Sequence, residues 1–381
     1  MDSKIKKIPR KILFMVSSMH SGGAERVATN LSNDWALAGH QVTLVVTYSR
    51  RGECFYPLSA AVELKFLADE TLTKRFRGPS YLARFLALRR LVQQVRPDVL
   101  VSFLTNVNVA AVLAARGTQV PVLVCERTYP PQLPVSGLWS WLRRWTYPLA
   151  ARVTMLTSEG LDWLKREIPR AHGVVMPNPV PYPLPVTTPE LQPSAVIPGE
   201  RKVLLAVGRM SEEKGFARLI EAFSALVRSH PQWDLVILGD GPLRPALAQQ
   251  IQATGLGGRV LMPGRAGNVG VWYERADLYV MSSRVEGFPN TLGEAMAHGC
   301  AAVSFDCDTG PRDLIRHEVD GLLVPPGDVA ALARALGRLM QDDALRAQMA
   351  ARALEVRSRY SMQRVLEQWD TLFRTTRISR I

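Results

Sequence analysis

Glu286 and Glu294 stand eight residues apart in the run Arg284-Val-Glu-Gly-Phe-Pro-Asn-Thr-Leu-Gly-Glu-Ala-Met-Ala-His-Gly299. An apolar run at 278–281 reads as a strand ending just before the first carboxylate, and helix-favouring residues begin near Asn290. Glu286 then falls on a loop at a strand's carboxyl edge. Glu294 falls about a turn inside a helix whose first backbone N–H groups open toward the same crevice. Open amides at a helix start suit a phosphate. A carboxylate on either side suits sugar or ribose hydroxyls rather than a second anion. One element thus offers a diphosphate seat flanked by two polyol acceptors, as a nucleotide-sugar requires.

The cations for such a diphosphate lie in Leu205-Ala-Val-Gly-Arg-Met-Ser-Glu-Glu-Lys-Gly215. Arg209 and Lys214 follow an apolar run on a short loop, so both can reach the carboxyl edge of a parallel sheet, where open α/β folds bind ligands. Two fixed cations there would stabilise a leaving diphosphate. Gly239-Asp-Gly-Pro242 is either a plain turn or a passage beneath a base or ribose, and Met262-Pro-Gly-Arg265 could read a base edge through main chain. Near the N-terminus, Ser17-Ser-Met-His-Ser-Gly-Gly-Ala-Glu-Arg26 sets Gly22 and Gly23 at a strand-to-helix turn. This could be a tight turn or a close approach of backbone to a ligand. It is not the Gly-x-Gly-x-x-Gly of a dinucleotide site, which counts against a dehydrogenase. His20 lies in that loop. Glu126 and Arg127 follow another strand-like run and are either an internal ion pair or part of an acceptor site. Asp306-Cys-Asp308 has the spacing of a divalent-cation motif, but a basic clamp already neutralises phosphate, so no metal is expected.

Charge is unevenly distributed. Of the net +13, residues 1–185 hold 24 Lys and Arg against 12 Asp and Glu, and the remainder is nearly balanced. A basic first half fits a polyanionic neighbour, such as an anionic membrane surface. Nucleic-acid binding has no motif beyond charge. The run Leu138-Trp-Ser-Trp-Leu-Arg-Arg-Trp-Thr-Tyr147 mixes aromatics and cations. It reads as an interfacial helix or as an ordinary surface helix packing tryptophan inward. Lys74-Arg-Phe-Arg77 is a second basic candidate for a phosphate-rich lipid. No apolar run approaches a membrane span, and the short run at 12–16 reads as a buried strand rather than a signal peptide. Cys54, Cys125, Cys300 and Cys307 have neither metal nor disulfide spacing, which points to a reduced, cytoplasmic setting.

These residues need elements to carry them. Apolar runs at 11–17, 41–47, 98–103, 121–125 and 152–156, then at 202–207, 234–238, 260–262, 278–281 and 301–305, alternate with helical patterns such as 24–38, 81–95, 216–228 and 242–254. Continuous apolar strands between helices specify doubly wound parallel sheets. Eight prolines between 177 and 198 mark a linker. The expected organisation is an acceptor-binding domain at 1–178, a linker at 179–198 and a nucleotide-sugar domain at 199–360. A helix at 361–381 is free to run back to the first domain.

Gly-Gly-Ala-Glu at 22–25, Val-Gly-Arg at 207–209 with Lys214-Gly215, and the Glu286–Glu294 pair resemble the family 4 retaining glycosyltransferases. The likeness spans nearly the whole chain and is strongest in the second half. It implies the GT-B fold, two Rossmann-like domains facing a cleft. It also implies that Arg209 and Lys214 hold the donor pyrophosphate, Glu286 the transferred sugar and Glu294 the ribose. Gly22, Gly23, Gly208, Gly239, Gly264, Phe288, Asn290, Thr291 and Leu292 complete the implied donor site. The acceptor side would draw on His20, Asn106, Glu126 and Arg127. The run 304–313, Ser-Phe-Asp-Cys-Asp-Thr-Gly-Pro-Arg-Asp, is similar to members that build bacterial lipopolysaccharide, exopolysaccharide or lipid-linked oligosaccharide, mostly from UDP-sugars. The expected activity is transfer of a hexose or N-acetylhexosamine to such an acceptor at the cytoplasmic face of the inner membrane. Many relatives carry a histidine where this chain reads Leu104-Thr-Asn-Val-Asn108. With no side-chain nucleophile in its place, the donor's own phosphate is expected to take the acceptor proton. The rival readings are a nucleotide-sugar epimerase and a non-catalytic sugar-nucleotide-binding assembly partner.

Overall fold

The computed structural model describes residues 8–20, 22–48, 54–70 and 81–376; Lys74-Arg-Phe-Arg77 lies outside them. The chain divides into a first unit, Met1–Asn178 with Val365–Ile381, and a second, Pro179–Arg364.

The first unit carries β1 Lys11–Val16, β2 Gln41–Val46, β3 Val62–Phe66, β4 Val99–Phe103, β5 Val122–Cys125, β6 Arg152–Met155 and β7 Gly173–Val175. They form one sheet in the order β3-β2-β1-β4-β5-β6-β7, and every pairing is parallel. Alternate residues feed opposite faces, as the strand period of two demands. Phe14 and Val16 enter one core with the helix Gly23–Leu37, whereas Leu13 and Met15 enter another with the helices Tyr81–Val95 and Thr105–Ala115. Burial on both faces is why these strands read as unbroken apolar runs.

The second unit carries β8 Lys202–Val207, β9 Trp233–Leu238, β10 Val260–Gly264, β11 Leu278–Met281, β12 Ala302–Phe305 and β13 Gly321–Val324. Their order is β10-β9-β8-β11-β12-β13, again parallel throughout. Both sheets reverse strand order beside their first strand, between β1 and β4 and between β8 and β11. The carboxyl ends at such a reversal form the crevice in which doubly wound sheets bind ligands.

Three strands, β3, β7 and β13, have no counterpart among the apolar runs of the sequence. All three are sheet edges. An edge is short or one-sided, and its hydrophobic signal weakens accordingly.

The proline-rich segment is no free tether. It belongs to the second unit and is hydrogen-bonded onto it: Thr187 N donates to Gly267 O (3.0 Å), Leu191 N to Asn268 Oδ1 (2.9 Å) and Trp272 Nε1 to Leu191 O (2.8 Å). A single 3-10 turn, Pro193–Ala195, interrupts it. The last helix, Met362–Thr375, buries Val365, Trp369, Leu372 and Phe373 in the core of the first unit. There the rings of Trp369 and Phe373 meet Trp35 at 5.4 and 5.6 Å. Truncating a tryptophan in such a core costs about 3–5 kcal/mol, so this helix is structurally part of the unit it joins. Among the described residues no helix is long and apolar enough to cross a membrane.

Candidate active site

At the reversal point of the second sheet, the loops after β8 and β11 are tied directly together. Lys214 ends a 3-10 turn, Glu212–Lys214, and is followed by Gly215 at φ +64°. A Cβ at Gly215 would lie 2.2 Å from the Ser282 carbonyl oxygen, so only glycine allows the two loops to approach this closely. Ser282 Oγ donates to Lys214 O (2.9 Å), and Arg284 N donates to Glu213 O (2.7 Å). The result brings Lys214 Nζ to 2.7 Å from Glu286 Oε1. Thr309 Oγ1, from the loop after β12, donates to the Glu286 carbonyl and pins its backbone. Burial works to lower the Lys214 pKa, but the charge and hydrogen bond of Glu286 outweigh it, and the ammonium is held above its usual range. A charged lysine is therefore fixed on a carboxylate at the sheet edge.

Arg209 begins the same loop, and its side chain is exposed. Among the described residues it makes no ion pair. The loop's other neighbours are packed backbone to backbone: Gly208 N donates to Leu238 O (3.0 Å) and Gly239 N to Gly264 O (2.8 Å). Gly239 has φ +140°, and a Cβ there would lie 2.0 Å from Gly208 O. Gly208, Gly239 and Gly264 thus bring the ends of β8, β9 and β10 together.

The helix carrying the second glutamate spans Asn290–Ala297. Its start is less open than the sequence suggested. Asn290 N donates to Phe288 O (2.9 Å) and Leu292 N to Pro289 O (3.1 Å), because the Phe288-Pro289 turn folds its carbonyls onto those amides. The Thr291 Oγ1 accepts from Tyr279 OH (3.0 Å). The Leu292 side chain is in the core, and Phe288 packs against Tyr360 with ring centroids 5.6 Å apart. Glu294 is buried and accepts from Tyr273 OH (3.2 Å) at Oε2. Tyr273, Tyr279 and Thr309 are the residues here that sequence reasoning did not single out. They lie in ordinary core strands, helices and turns, with no motif to mark them. In the Asp306-Cys-Asp308 segment, both oxygens of Asp306 accept from Arg312 (3.0 and 2.9 Å), and burial pushes the Cys307 thiol up to about 12.

In the first unit the sequence candidates separate. Gly22 caps the helix Gly23–Leu37 in an extended conformation, and the Glu25 carboxylate folds back over it. A Cβ at Gly22 would lie 2.2 Å from Glu25 Oε2, and Ser18 Oγ donates to Glu25 Oε1 (2.7 Å). The anion at this helix start is thus the protein's own. Gly23 and His20 are exposed, and Asn106 Oδ1 accepts from Val107 N (3.0 Å).

Glu126 and Arg127 are not a pair. Successive residues at a strand end face opposite sides of the sheet. Glu126 is buried toward the helix Thr105–Ala115, where Thr105 Oγ1 (2.9 Å) and Tyr147 OH donate to it, with Arg143 Nη1 3.9 Å away. Asn108 joins this cluster by donating to Tyr147 OH (3.0 Å) and accepting from Ser102 Oγ (2.7 Å). Arg127 instead stacks over Phe103, its guanidinium carbon 3.8 Å from the ring centroid.

The helix Gly137–Thr146 points Arg143 and Thr146 inward. Two of its three tryptophans face out: Trp141 and Trp145 are 55% and 65% exposed, their rings 6.0 Å apart, beside exposed Leu138, while Trp139 is half-buried. Trp141 and Trp145 are therefore not packed inward.

Two family models cover most of the chain: "Glycosyl transferases group 1" over residues 187–356 and "Glycosyltransferase Family 4" over residues 21–182. The chain is 29% identical over 363 residues, 94% of its length and 97% of the relative's, to a Campylobacter jejuni alpha-1,4-N-acetyl-D-galactosaminyltransferase. That enzyme is named for the acceptor GalNAc-alpha-(1->4)-GalNAc-alpha-(1->3)-diNAcBac-PP-undecaprenol. Among solved structures, a sucrose-phosphate synthase from Thermosynechococcus elongatus superposes with a TM-score of 0.82 at 19% identity, covering 96% of this chain and 98% of the other. The Anabaena protein HepE, in complex with UDP, superposes at 0.77 and 19%, covering 96% and 100%. Two parallel Rossmann-like units of the GT-B type and these family matches together make the chain a member of the family 4 glycosyltransferases.

Proposed function

We propose that the protein transfers a hexose or N-acetylhexosamine, with retention of anomeric configuration, from a UDP-sugar to a lipid-linked glycan in bacterial polysaccharide or oligosaccharide assembly. The observation that carries this reading is the Lys214–Glu286 pair, 2.7 Å apart at the reversal point of the second sheet. A diphosphate needs a cation that stays charged, and Glu286 keeps Lys214 so. The transferred sugar needs a hydrogen-bond acceptor beside that cation, and Glu286 is one. The UDP complex of HepE supports the donor, and the undecaprenol-diphosphate acceptor in the Campylobacter enzyme's name supports the acceptor class.

In the proposed step the acceptor hydroxyl oxygen bonds to the anomeric carbon on the face from which UDP departs. Its proton passes to the departing phosphate oxygen. Lys214 and Arg209 stabilise the charge that grows on the diphosphate, so catalysis is positioning plus electrostatics and requires no metal. Glu294 holds the ribose, with Gly239, Gly264 and Thr291 bordering the nucleotide. The enzyme works at the cytoplasmic face of the inner membrane, bound to its anionic surface through the basic first unit and the outward tryptophans of the helix Gly137–Thr146.

The deciding experiment profiles UDP release from a panel of UDP-sugars, with and without membrane lipid extract, for the native protein and Glu286→Ala. Acceptor-dependent release that collapses in the variant, while calorimetry finds UDP affinity within severalfold of native, is the expected result. Sugar isomerisation without an acceptor would favour an epimerase. No release with any extract would favour a non-catalytic binding partner.

A further inference from the structure

We propose that Arg127 binds a phosphate group of the acceptor. This rests on the glycosyltransferase reading above and adds to it the charged part of the acceptor and the residue that meets it. Arg127 is 8% exposed, and among the described residues neither Nε nor Nη1 has a hydrogen-bond partner. Among the described residues no carboxylate pairs with it, because Glu126 turns to the opposite face of the sheet and is met there by Thr105, Tyr147 and Arg143. Burial pushes the guanidinium down to about 10. An uncompensated buried cation is a strongly unfavourable arrangement in a folded chain. Stacking on Phe103 fixes the plane of the group but leaves Nε and Nη1 unmet among the described residues.

Several features favour an external anion as the missing partner. Arg127 lies just past the carboxyl end of β5, next to β4 and close to the strand-order reversal, the edge at which parallel sheets bind ligands. Phe103, which fixes the guanidinium, is itself held edge-on by Phe14 at 4.7 Å. The next residue, Leu104, holds φ +75°, a conformation unusual outside glycine and of the kind that clusters at functional sites. A planar guanidinium matches the tetrahedral oxygens of phosphate through paired charge-assisted hydrogen bonds. The surrounding half of the chain carries nearly all of the chain's excess positive charge, which draws such a ligand in. The donor diphosphate is already provided for by Lys214 and Arg209 in the other unit, so the acceptor is the substrate left to supply this anion.

The test uses the full chain saturated with UDP, so that the donor cations are occupied, and titrates inorganic pyrophosphate while Tm is followed. The native protein should gain Tm with pyrophosphate. Arg127→Met should lose most of that gain while its own Tm without pyrophosphate stays at or above native, because an unpaired buried charge has been removed. An equal gain in both proteins, or a fall in the unliganded Tm with the gain retained, would overturn the proposal. If the Met variant does not fold, Arg127→Lys decides: it keeps the charge but not the planar fork, and a native response to pyrophosphate would count against the site. A kinetic arm identifies the source of the anion. With a diphosphate-linked acceptor, Arg127→Met should raise acceptor KM about tenfold or more and leave donor KM unchanged. With the same glycan on an uncharged alkyl carrier, variant and native should match. An equal KM rise with both acceptors, or none with either, would show that the anion is not on the acceptor. Failure to find any transfer would count against the enzymatic reading, while the Tm arm would still decide whether Arg127 binds phosphate.

Discussion

Two polar clusters occupy equivalent edges of the two sheets and differ in what surrounds them. The Lys214–Glu286 pair joins loops after neighbouring strands of the second unit, with the lysine side chain 24% and the glutamate 10% exposed. The Glu126 cluster of the first unit is sealed, and its carboxylate has donors from Thr105 and Tyr147 and a cation in Arg143. One cluster has charge that solvent and substrate can reach. The other uses similar residue types as internal structure. Accessibility and unmet hydrogen-bonding capacity, rather than the presence of charged residues, distinguish a chemical site from a structural one.

The largest expected effect that sharpens this contrast is on Lys214. Lys214→Ala should lower kcat/KM by about 10²–10³-fold, the scale on which one preorganised charge acts on a developing anion. Circular dichroism should remain native, and near-native turnover would place the chemistry elsewhere. Tyr147→Phe should show the opposite pattern. Losing its hydroxyl from Glu126 and Asn108 should cost about 1–3 kcal/mol in urea unfolding, with turnover per folded molecule unchanged. A loss of turnover without a loss of stability would move the sealed cluster into the active machinery.

The smallest effect lies in pH. Burial pushes the Glu126 carboxyl up, and the lowering contributions of Tyr147, Arg143 and Thr105 do not cancel it. A raised folded-state value means that Glu126's contribution is fully present below the ordinary glutamate value and is lost as pH rises through the folded-state value. Glu126→Gln is neutral throughout, so its urea midpoint relative to native should climb as pH rises above the ordinary glutamate range. A flat difference would mean that the cluster holds the carboxylate as well as it holds the acid.

Much of the fold was legible from residue order. β1, β2, β4, β5, β8, β9, β11 and β12 lie inside sheets and are buried on both faces, which leaves runs such as Lys-Ile-Leu-Phe-Met-Val at 11–16 plain to read. The edges β3, β7 and β13 were not. Val62–Phe66 alternates charged and apolar residues, and Gly173–Val175 is three residues long. In the site, the spacing of Glu286 and Glu294 around a strand-to-helix turn was correctly read. The inward use of the Asn290 and Leu292 amides was not, because it depends on how the Phe288-Pro289 turn folds.

Residue types and spacing were enough to determine two parallel α/β units, the positions of the cations and carboxylates on strand ends, and the family the chain belongs to, since each depends on local periodicity or short motifs. Only the tertiary structure decided that Lys214 meets Glu286, that Glu126 and Arg127 part to opposite faces, that Trp141 and Trp145 look outward, and that the last helix packs on Trp35. Those contacts join residues tens to hundreds of positions apart, and which of them form depends on strand order and burial, quantities that no local stretch of sequence encodes.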